Sequence, residues 1–214
     1  MDLKQYTHLL WDFNGTVFDD IEACRLSVNS MLAARGLPTL TVEDYREVFD
    51  FPVKDYYARV GFDFDKEPFE VLAPIWVAEY NRQSLASTVY SGVTEAMARV
   101  RSLGLRQEIL SATEAEMLGG QIRSLGLEHE IDGWNGMDTI HASGKESLAL
   151  EWRAAHPDAR VLFLGDTTHD AHVAAVMGAD CVLFDRGHMS RARLLACGVP
   201  IIHDFDELFA AGRV

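Results

Sequence analysis

Apolar positions follow two different patterns along the chain. From about residue 90 onward, short and almost unbroken apolar runs alternate with stretches of helical spacing. The segments "LRQEILSAT", "RVLFLGD", "DCVLFD" and "VPIIHD" read as strands, with a further short strand near Ile131. Between them, helices are expected up to Arg101 before Gly104, over 114–125, over 143–156, up to Gly178 and over 190–197. Strands that are apolar on both faces, each followed by a helix, predict a parallel sheet covered on both sides. A matching run, His8 to Trp11, stands near the N-terminus. It ends at Asp12 with Gly15 and Thr16 close behind, as a buried strand entering a loop does.

The intervening stretch has almost no strand signal. Ile21, Cys24, Val28, Met31 and Leu32 recur at helical spacing until Gly36 and Pro38 stop the pattern. "TVED", Thr41 to Asp44, has the form of a capping box opening a second helix. A third is expected over 54–60, ending at Gly61, and a long one over 68–86, with Pro74 as a break or restart. The expected architecture is therefore a doubly wound, Rossmann-like α/β core assembled from residues 1–17 and 89–214, with an all-helical insert over 18–88.

Composition narrows the function classes. At 214 residues, 48% apolar and 24% charged, the chain suits a globular protein with a sizeable core. A net charge of −14 with no basic cluster makes nucleic acid and anionic membrane surfaces unexpected partners. A small anionic substrate would need a metal ion or a local cation. Cys24, Cys181 and Cys197 are scattered and odd in number, which suits a reducing compartment. With neither a signal-like N-terminus nor an apolar run of membrane-spanning length, the expected location is the cytoplasm.

Open α/β sheets bind ligands beyond the carboxyl ends of their strands. The polar residues at those ends are Asp12, Asn14 and Thr16 after the first strand, and Ser111 and Thr113 after the second. Lys145 follows the third, and Asp166 and Asp170 follow the fourth. Asp12 and Asp166 are hard oxygen donors suited to Mg²⁺ together with a phosphate, and the Ser111 hydroxyl and the Lys145 cation suit phosphate oxygens. Asp12 beside a metal could act as a nucleophile that forms an aspartyl-phosphate. Lys145 gains weight from scarcity: of 19 basic residues only four are lysines, and the other three lie in the first third of the chain. Bland roles stand beside these. Ser111 could cap the next helix, Asp170 could be a first-turn acid, and His169 and His172 read as packing or solvent-facing rather than as ligands.

"WDFNGTVFDD", "YSGVTEAMARVRSLGLRQEILSAT", Gly144-Lys145 and "VLFLGDTTHDAHVAAVMGAD", in this order, resemble the haloacid dehalogenase-like hydrolases. The likeness is to the helical-cap branch that includes phosphoglycolate phosphatases, β-phosphoglucomutases and phosphonatases. It implies that Asp12 is the nucleophile and, with the Asn14 carbonyl and Asp166, a Mg²⁺ ligand. It implies further that Thr16, Ser111, Ala112 and Lys145 bind substrate or support its loop, and that Asp170 supports the site. The insert would be a mobile cap hinged near Phe18 and Tyr90. Glu146 departs from the proline common after this lysine. The larger departure is Asn14, where the phosphatases carry an aspartate as general acid and base.

A carboxamide can hydrogen-bond but cannot pass a proton to a leaving alkoxide. Three functions follow as expectations. The first is a Mg²⁺-dependent hydrolase of a small phosphorylated metabolite, weak on alkyl esters. The second is a phosphonatase-like C–P hydrolase using Lys54 in the cap. The third is a non-catalytic domain that binds a phosphorylated ligand. Asn14-Gly15 is also a deamidation-prone dipeptide, and conversion to aspartate would show in the mass of the loop peptide.

Overall fold

The computed structural model of the chain describes residues 1–138 and 144–210. In chain order the elements are β1 (His8–Trp11), β2 (Phe18–Asp19), α1 (Ile21–Ala33), α2 (Val42–Val48), α3 (Val53–Arg59) and α4 (Phe69–Gln83). Then come β3 (Thr88–Val89), α5 (Val93–Ser102), β4 (Arg106–Glu114), α6 (Ala115–Ser124), β5 (Gly133–Met137) and α7 (Lys145–Ala155). Last are β6 (Val161–Gly165), α8 (Thr168–Met177), β7 (Asp180–Phe184), α9 (Arg191–Leu195) and β8 (Ile201–Ile202).

Six strands form one parallel sheet in the order β5-β4-β1-β6-β7-β8. Side chains alternate between its faces, as strand geometry requires. Leu9 and Trp11 pack on the same side as Met97 of α5 and Leu118 and Ile122 of α6. Leu10 faces the other side, with Trp152 of α7, Val173 of α8 and Leu194 of α9. The chain runs from β1 outward to β4 and β5, then returns to β6 on the far side of β1. That reversal sets the ends of β1 and β6 beside each other at the crevice where such sheets bind ligands.

Helices α1 to α4 carry their own core, which includes Val28, Leu32, Tyr45, Tyr57 and Leu72. The capping box at Thr41 forms in both directions, Asp44 N to Thr41 Oγ1 and Thr41 N to Asp44 Oδ2, each at 3.1 Å. Three sequence expectations change. Pro74 does not break α4, which runs through it: Pro74 is exposed, while Leu72 and Tyr80 on the same helix are buried and hold it in register. The stretch is not wholly helical at its ends, since β2 and β3 pair antiparallel, Phe18 with Val89 and Asp19 with Thr88. Two-residue strands are too short for an alternating pattern to register. The strand expected near Ile131 lies at 133–137, with Ile131 a buried residue ahead of it. The expected helix start at Ser143 lies outside the described residues, and α7 is seen from Lys145.

Candidate active site

Asp12 continues β1 by one step, its N–H donating to the Leu164 carbonyl of β6 at 2.8 Å, which fixes the carboxylate at the crevice. Its Oδ1 accepts from Lys145 Nζ, and its Oδ2, buried, has no hydrogen-bond partner among the described residues. Lys145, the first residue of α7, is buried and also donates to Asp170 Oδ1 at 2.6 Å. The other oxygen of Asp170 accepts from Thr167 Oγ1 at 2.6 Å and from Thr167 N at 3.0 Å, closing the capping box of α8. Asp170 is thus both a helix-capping acid and the second anchor of the lysine. Asp166, at the end of β6, accepts from Thr16 Oγ1 at 3.1 Å and from His188 N at 2.6 Å. Gly15 and Gly187 leave room for it: a Cβ at either would stand 2.4 or 2.2 Å from Asp166 Oδ2, and Gly15 has φ +78°.

Charge bookkeeping at this crevice points to a cation. Asp12, Asp20, Asp166 and Asp170 are buried together with two cations, Lys145 and His188. Burial works against a charged His188, but the hydrogen bond and charge of Asp20 outweigh it and push His188 up to about 9. Burial and neighbouring carboxylates push Asp166 up to about 6 and Asp12 well above the ordinary range. Burial also opposes ionisation of Asp170, yet Lys145 keeps it below its usual value. With all four carboxylates ionised, Lys145 and His188 leave two negative charges uncompensated, and the upward push on Asp12 and Asp166 reflects that excess. Asp12, Asp166 and Asp170 offer oxygens within 4.8 Å of one another. Hard donors, an orphaned carboxylate oxygen and a charge deficit of two fit a divalent cation.

Asn14 is held by its side chain from three directions. Its Nδ2 donates to Asp20 Oδ2 at 2.8 Å and lies 2.9 Å from Tyr80 Oη, and its Oδ1 accepts from Thr113 Oγ1 at 2.7 Å. Asp20 also accepts from Tyr80 Oη at 2.7 Å and Gly15 N at 3.0 Å, and pairs with His188 Nε2 at 3.3 Å. The acceptors around Nδ2 and the donor at Oδ1 match a carboxamide. A carboxylate there would face Asp20 directly.

Asp12, Asn14, Ser111, Ala112, Lys145, Asp166 and Asp170 line one cavity of about 330 Å³. Thr16 is brought to the same place but stands behind it, fully buried against Asp166. Ser111 does not cap α6. Its hydroxyl donates to Thr113 Oγ1 and accepts from Thr113 N, while Glu114 caps the helix. His172 is exposed beside Glu146, whereas His169 lines the cavity against Phe51. Lys54 is exposed over the Phe64 ring and does not line the cavity. Sequence reasoning missed Asp20, Tyr80 and His188. Asp20 reads as a helix start, and His188 sits in a loop with no motif. The one available signal was a histidine after the fifth sheet strand in sequence, the same kind of position as the others.

Residues 9–184 match the sequence profile of the haloacid dehalogenase-like hydrolases. The chain is 23% identical over 205 residues to a phosphoglycolate phosphatase of Rhodobacter capsulatus, covering 94% of each. It is 25% identical to a phosphoglycolate phosphatase of Chromobacterium violaceum, covering 88% of each. Among solved structures, a haloacid dehalogenase-like hydrolase from Streptococcus pneumoniae superposes with a TM-score of 0.83 at 18% identity, covering 96% of this chain and 97% of that one.

Proposed function

The chain belongs to the haloacid dehalogenase-like hydrolases, and from that premise we propose that it is a Mg²⁺-dependent phosphoric monoester hydrolase that takes the phosphoryl group onto Asp12. The observation that carries this reading is the buried, unpartnered Asp12 Oδ2 in a cavity, beside an Oδ1 that Lys145 holds. Tying one oxygen down leaves the other as the nucleophile and fixes its direction. Asp12, Asp166 and the Asn14 carbonyl would hold the metal, which when bound supplies positive charge against the phosphoryl oxygens and the carboxylates. Lys145 bridges Asp12 and Asp170 and offers its remaining donor to the phosphate, where the Ser111 hydroxyl also lines the cavity. Thr16, His188 N and Asp170 keep the acidic groups in position.

The residue that would pass protons is Asn14, and it cannot. General acid–base catalysis typically contributes about 10²–10⁴-fold, so that factor is withheld from substrates whose leaving group needs a proton. Alkyl phosphates lose most; acyl and aryl phosphates, which leave as anions, lose least. The small phosphorylated substrates of the named relatives support the substrate scale.

The test is hydrolysis of acetyl phosphate and p-nitrophenyl phosphate with Mg²⁺, after chelation, and in Asp12→Asn. Turnover should disappear with the chelator, return with Mg²⁺, and fall by at least about 10³-fold in Asp12→Asn. Equal turnover in wild type and Asp12→Asn excludes the reading.

A further inference from the structure

The walls of the cavity name a substrate class, an inference that rests on Asp12 as phosphoryl acceptor. The helical insert contributes Phe49, Phe51, Tyr56, Tyr57, Trp76 and Tyr80 to the lining. Trp76 and Tyr80 stack at 4.8 Å with 13° between their planes. Tyr56 is buried, and its hydroxyl has no hydrogen-bond partner among the described residues. The insert places no lysine or arginine in the lining.

Among the described residues the lining cations are already engaged: Lys145 by Asp12 and Asp170, His188 by Asp20. His169 packs its ring against that of Phe51, centroids 5.0 Å apart. A second anionic group on the substrate, such as the carboxylate of phosphoglycolate, would be taken from water without a free counter-charge among the described residues and would share the cavity with Asp20 and Glu114. A cavity of about 330 Å³ is at the small end of those that enclose whole organic ligands, roughly 300–1,000 Å³.

We propose that the substrate is a phosphomonoester of an aromatic alcohol: a flat ring system with the phosphate on a phenolic oxygen, no second anionic group, and one polar substituent for the Tyr56 hydroxyl. The ring fills the aromatic wall, where offset and edge-on packing add to simple burial. Asn14 fits the same substrate. Asp12 Oδ2 bonds to phosphorus, the P–O(aryl) bond breaks, and its electron pair leaves on the phenolic oxygen. A phenol's pKa is near 10, so the phenolate departs unprotonated and takes its proton from water afterwards. Water then attacks phosphorus, the Asp12–P bond breaks, and inorganic phosphate leaves with the surplus proton passing to solvent.

An aromatic cavity rich in acids would also suit an ammonium group. The natural ester of that kind, phosphocholine, has an alkoxide leaving group that Asn14 cannot protonate. The experiment measures kcat/KM with Mg²⁺ for 1-naphthyl phosphate, phosphocholine, phosphoglycolate and acetyl phosphate, in wild type, Trp76→Ala and Val77→Arg. Val77 lines the cavity and is 39% exposed, so an arginine there supplies a cation without disturbing a core. Naphthyl phosphate should exceed phosphocholine and phosphoglycolate by at least a hundredfold. Trp76→Ala should lower the naphthyl-to-acetyl ratio at least tenfold, and Val77→Arg should raise the phosphoglycolate-to-naphthyl ratio at least tenfold. Phosphoglycolate or phosphocholine matching naphthyl phosphate, or ratios unmoved by both variants, overturns the proposal. Asp12-dependent turnover of acetyl phosphate without naphthyl phosphate overturns it alone. No turnover of any of the four removes the hydrolase reading beneath it as well.

Discussion

At the scale of single residues, Asn14 is fitted to its place rather than merely tolerated there. Its amide donates towards Asp20, and its oxygen takes the Thr113 hydroxyl. Asn14→Asp exchanges that donor for a carboxylate 2.8 Å from another carboxylate. Two acids so close cannot both ionise cheaply, so the pair retains a proton and its pKa rises in the folded state. A raised carboxyl pKa means that stability is lost as pH rises and recovered as it falls. The variant should be less stable than wild type by about 2 kcal/mol at pH 8, and the gap should shrink towards pH 5, as read by urea unfolding. The retained proton is also the one the wild type lacks. Turnover of an alkyl phosphate should therefore rise relative to an aryl phosphate in Asn14→Asp, and an unchanged ratio would show that position 14 does not govern proton transfer. In Asn14→Asp combined with Asp20→Asn the amide and the acid change places. That exchange should recover part of the lost stability, less the cost of the broken His188 pair.

At the scale of elements, the loops after β1 and β7 are built around space for one carboxylate. Gly15 is in left-handed backbone with Asp166 where its Cβ would be. Gly15→Ala should cost about 1–3 kcal/mol or more and weaken Mg²⁺ binding measured by calorimetry, since either the backbone or Asp166 must move. Pro74 offers the opposite case. It is exposed inside α4 and deprives the carbonyl four residues back of its donor. Pro74→Ala should raise the urea midpoint by the equivalent of about 2 kcal/mol, a helix gain of about 3 offset by about 1 from a looser unfolded chain. The same two elements mark what the sequence made legible. Asp12, Lys145, Asp166 and Asp170 could be found because they follow strongly apolar strands or a helix-opening glycine, signals a few residues long. Pro74 misled because local propensity was outweighed by Leu72 and Tyr80, whose burial depends on tertiary contacts. Asp20, Tyr80 and His188 meet only when the insert lies over the sheet, and no local spacing encodes that meeting.

At the scale of the whole molecule, the insert is fastened to the sheet by a polar strap beside the aromatic wall. Arg46 donates to the carbonyls of Gly187 at 3.0 Å and Arg186 at 2.6 Å. Arg193 of α9 reaches back to the Phe49 and Arg46 carbonyls and pairs with Asp50 at 3.0 Å. Tyr45 Oη and His188 Nδ1 meet at 2.9 Å. These contacts join residues 45–50 to the loop and helix after β7, while the β2–β3 ribbon carries the chain between insert and sheet. Polar contacts of this kind can be exchanged for water, whereas the two cores on either side cannot. If the insert moves as one body on that ribbon, the strap sets the balance between a closed cavity and an open one. Arg193→Ala removes three of its contacts without touching either core. A hydrogen bond from a charged donor is worth about 1.5–3 kcal/mol before solvent replaces it, and each 1.4 kcal/mol shifts a two-state balance about tenfold. The variant should show a larger radius of gyration by small-angle scattering in the absence of substrate. It should also show a KM for 1-naphthyl phosphate raised several-fold, with Arg193→Lys intermediate because lysine keeps the charge opposite Asp50 but not the fork. A radius and KM both equal to wild type would mean that the insert is held by the aromatic wall itself, and that substrate enters by a route other than opening this strap.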